Sequence, residues 1–128
     1  MARTCTAFLK RERIPLRAPL QAAIQALGFK LTLEDDYEPF VTSGYLPCTL
    51  DGEDAGLTLR FDANTEVDGK DSALTLQWSG DPREQVSVMM IAAALAHGFD
   101  AVVRDADNVV KSADELIASA KKGFESLD

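Results

Sequence analysis

The segment from Val86 to Ala96 is apolar at almost every position, and no other part of the sequence constrains the fold as strongly. Asp81 is a favourable helix cap, Pro82 fits the first helical position, and Glu84 is spaced to reach back to the cap. Gly98 is a helix-stopping residue. Because a helix that is apolar on all sides must be covered on all sides, we expect this helix to be the buried centre of the domain.

Alternating apolar and polar residues predict strands on both sides of this helix. The predicted strands are 4–9, 29–33, 45–50, 57–62, 73–78 and 100–103. Two further helices are predicted, one opened by Pro19 and stopped by Gly28, the other opened by a capping box at Ser112 and Glu115. The alternation favours antiparallel strands with one face in water. The sequence therefore predicts one α+β domain over residues 1–128, with a mostly antiparallel sheet of about four to five strands and about three helices packed against it.

Charge is unevenly distributed along the chain, whose formal net charge is −8. Residues 31–81 contain twelve acidic and two basic side chains, whereas residues 1–30 contain one acidic and six basic side chains. Because negative charge is repelled by phosphate backbones and anionic membranes, we expect no nucleic-acid or membrane partner and favour a basic or neutral one. The acidic segment is equally typical of a solvated face that maintains solubility.

The residue types that most often carry catalysis are sparse in this sequence. His97 is the only histidine, so a histidine-based metal site is excluded, and a capping or partly buried structural role is expected for it. Cys5 and Cys48 have no metal-ligand spacing, and no glycine-rich phosphate loop is present. We therefore expect no enzyme, no metal and no cofactor. Since the first residues lack a signal-peptide pattern, we expect a cytoplasmic protein with free thiols.

Two predicted exposed loops together carry six carboxylates and two aromatic rings. Aromatic anchors surrounded by charge suit a protein interface, and acidic groups speed the encounter with a basic partner. The predicted partner-binding residues are Asp35, Asp36, Tyr37, Glu38, Phe40, Asp51, Glu53 and Asp54.

Three stretches of the sequence share a pattern with a known group of proteins. They are Gly44-Tyr45-Leu46-Pro47-Cys48-Thr49-Leu50-Asp51-Gly52 with Ala55-Gly56, Leu76-Gln77-Trp78 leading into Asp81-Pro82-Arg83-Glu84, and Ala92-Ala93-Ala94-Leu95-Ala96 with Asp100-Ala101-Val102-Val103-Arg104-Asp105. In these stretches the chain resembles the small immunity proteins that bacteria encode beside interbacterial toxins, especially type VI secretion effectors.

The resemblance implies a protein that binds its cognate toxin in the producing cell's cytoplasm and occludes the toxin's active site. An acidic inhibitor suits a toxin with a basic cleft, such as a (p)ppApp synthetase, an ADP-ribosyltransferase or a nuclease. The resemblance implies no catalytic residues. Two alternatives stay open: a small enzyme or small-ligand-binding domain with a pocket between helices and sheet, and a generic regulatory subunit.

Overall fold

The computed structural model describes residues 3–34, 37–63 and 67–127. These residues form three α-helices and nine β-strands in two antiparallel sheets, which confirms the predicted α+β class and the helix count. The strands are β1 (Thr4–Leu9), β2 (Leu31–Leu33), β3 (Gly44–Leu46), β4 (Cys48–Leu50), β5 (Glu53–Asp54), β6 (Leu57–Ala63), β7 (Ser72–Gln77), β8 (Val102–Arg104) and β9 (Val110–Lys111). The helices are α1 (Arg17–Ala26), α2 (Pro82–Gly98) and α3 (Ala113–Glu125), and a short 3-10 helix spans Arg11–Arg13.

The larger sheet has six strands in the order β3-β6-β7-β1-β8-β9, and every neighbouring pair is antiparallel. Period-two alternation gives this sheet one buried and one open face. On β6, for example, Leu57 and Leu59 are buried whereas Thr58 and Arg60 are exposed. The helices cover the apolar face, with α2 in contact with four strands of this sheet and flanked by α1 and α3.

Helix α2 is the buried centre of the domain, as its composition predicts. Its buried residues run from Val86 to Val88 and from Met90 to Leu95. Asp81 caps the helix by accepting a hydrogen bond from the Arg83 backbone N–H at 2.9 Å. The expected return of Glu84 to the cap is wrong, because its carboxylate accepts bonds from the backbone N–H and hydroxyl of Ser79, at 2.9 and 2.7 Å. Ser79 offers two donors where the cap's backbone offers one.

Helix α3 begins with the predicted capping box. The Ser112 hydroxyl accepts from the Glu115 backbone N–H at 3.2 Å, and the Glu115 carboxylate accepts from the Ser112 backbone N–H at 3.1 Å. This reciprocal pair satisfies two donors that the helix itself leaves unpaired.

The smaller sheet, in the order β2-β4-β5, explains why more strands form than the sequence predicts. Pro47 divides the predicted strand 45–50, so that β3 joins the larger sheet and β4 the smaller one. Proline has no backbone N–H, and it therefore interrupts a ladder. The other additional strands, β5 and β9, have two residues each, too few to show a period in the sequence.

Helix α1 closes the outer edge of the smaller sheet through a buried side chain. The Gln21 amide donates to the Leu31 carbonyl at 2.8 Å and accepts from the Leu33 backbone N–H at 2.7 Å. Arg17 also donates to the Leu33 carbonyl, at 2.6 Å. Helix α1 therefore takes the place of a neighbouring strand along β2, and it begins two residues before Pro19, the predicted start.

Across the described ranges, the helices are all too short or too polar to cross a membrane.

Candidate protein-binding surface

The β4–β5 hairpin displays three of the predicted acidic residues. Its turn, Asp51 and Gly52, has positive φ at both positions, 52° and 85°. Asp-Gly is a favoured sequence for this two-residue hairpin turn because both residues adopt the left-handed conformation more readily than others do. As predicted, Asp51, Glu53 and Asp54 are all exposed.

The three hairpin carboxylates differ in how far their charge is compensated. Glu53 forms an ion pair with Arg83 at 2.7 Å, and Asp51 lies 3.9 Å from the Lys30 ammonium group. Asp54 has no ion-pair partner in the part of the chain that the structure describes. The negative charge of Asp54 is thus the one most available to a partner.

Tyr45 is an exposed aromatic side chain beside this hairpin, with 59% of its surface accessible. Its phenol lies against the backbone of Gly56, where a Cβ atom would collide with it. Partial desolvation raises the pKa of Tyr45, the carboxylates of Glu84 and Asp54 raise it further, and a hydrogen bond with the Gly56 backbone lowers it. The carboxylates of Glu84 and Asp54 are therefore near enough to act on the phenol electrostatically.

A cavity of about 190 Å³ adjoins the Tyr45 ring, and its lining includes Trp78 and Glu84. We call Tyr45, Glu53, Asp54 and Glu84 the hairpin surface. Tyr45 and Glu84 were not among the predicted site residues. The signal for Tyr45 lay in strand alternation, because the buried side chain of Leu46 turns the preceding residue to the opposite face.

In the other predicted loop, the two aromatic rings lie against the protein rather than projecting into solvent. Tyr37 is only 4% exposed, and its hydroxyl donates to the Pro15 carbonyl at 3.0 Å, so the expectation that its ring is displayed is wrong. Burial raises the pKa of this phenol. Phe40 is half-buried, with its ring centre 5.1 Å from that of Phe61 and 3.7 Å from the Arg11 guanidinium carbon.

The described members of the two predicted groups lie at opposite ends of the β2–β4 pair. Leu31 pairs with Leu50 beside the hairpin, whereas Leu33 pairs with Cys48 beside the Tyr37 loop. The structure thus does not join the two groups into one surface. In the Tyr37 loop Glu38 is exposed, and Asp35 and Asp36 lie outside the described residues.

Neither cysteine is placed for nucleophilic chemistry. Both are free and buried, and burial raises the pKa of each thiol to about 12, with a smaller contribution from Asp105 at Cys5 and from Glu34 at Cys48. The reactive thiolate is therefore disfavoured at neutral pH. His97 is exposed in the last turn of α2, not partly buried as expected.

The described residues form a cavity that bears on ligand binding, but they form no group that could hold a metal ion. A cavity of about 220 Å³ lies between the sheet and helices α2 and α3, and its lining includes Cys5, Trp78, Met89, Lys111 and Leu116. Within residues 3–34, 37–63 and 67–127, no three His, Cys, Asp or Glu side chains are grouped to hold a metal ion.

Comparison with known proteins yields no significant match, whether to a family model, to a curated protein or to a solved structure.

Proposed function

We propose that this chain is an immunity protein that binds a cognate antibacterial toxin and occludes the toxin's active site. The observation that supports the proposal best is the exposed Tyr45 ring, on which the carboxylates of Glu84 and Asp54 act electrostatically. Tyrosine is enriched among the residues that dominate binding energy at protein interfaces. The partner is a protein, and the proposed contact region is the hairpin surface.

Electrostatics favours a basic toxin. The chain carries a formal charge of −8, and the carboxylate of Asp54 projects from the hairpin without a paired cation among the described residues. A cleft that holds nucleotides or nucleic acid is positive, so an acidic hairpin complements it and speeds association. We propose a nucleotide-using toxin or a nuclease as the target, met in the cytoplasm.

The test purifies the product of the gene adjacent to the one that encodes this chain, and measures both its binding to the chain by calorimetry and its toxin activity. Tyr45→Ala is expected to weaken binding by about thirtyfold, since interface residues of this kind contribute about 2 kcal/mol or more. Asp54→Lys is expected to weaken it by at least about tenfold, and more strongly at low salt. Asp68→Lys is the matched control because this exposed carboxylate lies in the turn after β6, whereas Tyr45 pairs with Thr58 at the start of β6.

Loss of toxin inhibition in Tyr45→Ala and Asp54→Lys, with inhibition kept in Asp68→Lys, supports the proposal. Affinity unchanged by both hairpin substitutions would remove the hairpin surface as the contact region. If the unmodified chain did not bind the neighbouring gene product, the proposal that this product is its cognate toxin would be wrong.

The cavity between sheet and helices favours the second candidate, a small-ligand-binding domain. Its volume of about 220 Å³ is below the roughly 300–1,000 Å³ of ordinary ligand pockets, so only a small ligand fits. Native mass spectrometry of the protein from its own cells tests this candidate, because a retained ligand adds a discrete mass.

A further inference from the structure

The open face of the larger sheet carries a row of four polar side chains from four different strands. The pairing register aligns Arg60 with Thr75, Thr75 with Thr6, and Thr6 with Arg104. Adjacent strands are about 4.8 Å apart, so the two arginine backbones are separated by roughly 14 Å. Two hydroxyl groups thus lie between two guanidinium groups on one surface.

The arginine donors on this row are largely unused. Arg60 donates its Nε–H to Asp62 at 2.6 Å, and its Nη groups have no acceptor among the described residues. The guanidinium carbon of Arg104 lies 5.0 Å from the ring centre of Phe8, and Arg104 has no hydrogen-bond acceptor within the same part of the chain. Asp62 and Phe8 therefore position the two groups while leaving most of their N–H donors free.

This row forms the floor and sides of an open cavity of about 500 Å³. The lining also includes Thr4, Asn108 and two carboxylates, those of Asp62 and Asp105. Asp105 is compensated by the backbone N–H groups of Asp107 and Val109, at 2.9 and 3.0 Å, and by Lys111 at 3.8 Å. The two arginines and two aspartates of the lining sum to zero, but Asp62 pairs with Arg60 and Asp105 pairs with Lys111. Among the described residues, the Arg104 guanidinium therefore lies in the cavity without a paired carboxylate.

We propose that this cavity binds a diphosphate group, either as the free anion or as part of a nucleotide. The donors available are two guanidinium groups, the hydroxyls of Thr4, Thr6 and Thr75, and the Asn108 amide. A single carboxylate has only two oxygens to accept these bonds, whereas the linked phosphoryl groups of a diphosphate accept along the whole row. The site shares no residue with the hairpin surface and does not depend on the proposed function.

Isothermal titration of the full chain with inorganic pyrophosphate, in metal-free buffer of low ionic strength, tests the assignment. Arg60→Gln and Arg104→Gln are each expected to weaken binding at least about tenfold, because each removes charge-assisted hydrogen bonds. Thr75→Val is expected to weaken pyrophosphate binding, because it removes a hydroxyl with little change in the shape of the side chain. This variant replaces an arginine variant in the test if that variant lowers the melting temperature of the protein. Lys121→Gln, an exposed lysine on α3, is the matched control for net charge.

ADP and succinate form the other arms of the experiment. Tighter binding of ADP than of pyrophosphate identifies a nucleotide as the source of the diphosphate, and binding of pyrophosphate alone identifies the free anion; both support the proposal. Succinate binding as tight as pyrophosphate overturns the diphosphate assignment. No binding of either phosphate compound overturns the site, as does equal weakening by Lys121→Gln and Arg104→Gln.

Discussion

Replacing Tyr37 with phenylalanine separates a structural role for this residue from a role in binding. The Tyr37 hydroxyl donates to the buried Pro15 carbonyl at 3.0 Å, and the side chain is 4% exposed. Tyr37→Phe keeps the ring packed but leaves the carbonyl without this donor, which costs about 1–1.5 kcal/mol of unfolding free energy. A chain of this length loses about 4 °C of melting temperature per kcal/mol. We therefore expect Tyr37→Phe to melt about 4–6 °C lower.

Urea unfolding followed by circular dichroism measures this loss, and an unchanged m-value shows that the same surface is exposed on unfolding. Tyr45→Phe is the matched control. Its hydroxyl bonds the Gly56 backbone, but the side chain is exposed, and substitutions of exposed side chains usually change stability by no more than about 0.5 kcal/mol. If Tyr37→Phe were as stable as the unmodified chain, the hydroxyl would not be a buried donor, and the reasoning that removes Tyr37 from the binding surface would fail.

Two more predictions concern pH and helix capping. Burial raises the pKa of Cys5 and Cys48 to about 12, so the folded chain keeps protons that the unfolded chain releases above about pH 8.5. Their contribution to stability is complete below that pH and falls as pH rises towards 12, by about 1.4 kcal/mol per pH unit for each thiol. Urea midpoints under reducing conditions at pH 7, 9 and 10 measure this fall, and equal midpoints would contradict it. Ser112→Ala removes the capping acceptor of α3 and is expected to cost about 1 kcal/mol in the same assay, whereas Ser112→Gly should cost only a few tenths.

Local signals in the sequence were sufficient for the helices and the longer strands. The apolar run after Asp81 predicts a buried helix because no face of it tolerates water, and α2 is buried as expected. The alternation in 57–62 and 73–78 predicts β6 and β7 to within one residue at each end. These elements follow from side-chain periods within a single segment.

The binding surface depended on packing that no single segment encodes. The sequence shows Tyr37 and Tyr45 as two aromatic residues near acidic ones, but only the fold distinguishes them. Tyr37 turns inward to Pro15 and Phe61, whereas Tyr45 turns away from the core on an edge strand. Pro47 was readable as a local interruption, yet its consequence, the transfer of the chain from one sheet to the other, is a property of the whole fold.

For the same reason, the net charges of sequence segments do not reveal that Arg60 and Arg104 lie on one surface. Arg60 is one of two basic residues in the acidic segment 31–81, and Arg104 lies in a segment that is also acidic overall, so neither suggests a positive surface. The strand order β6-β7-β1-β8 brings them onto one face, since β1 from the start of the chain inserts between β7 and β8. Because one face of the sheet is covered by helices, the charged residues of these four strands lie on the other face. Strand order therefore brings two of the few arginines of an acidic chain together in one open cavity.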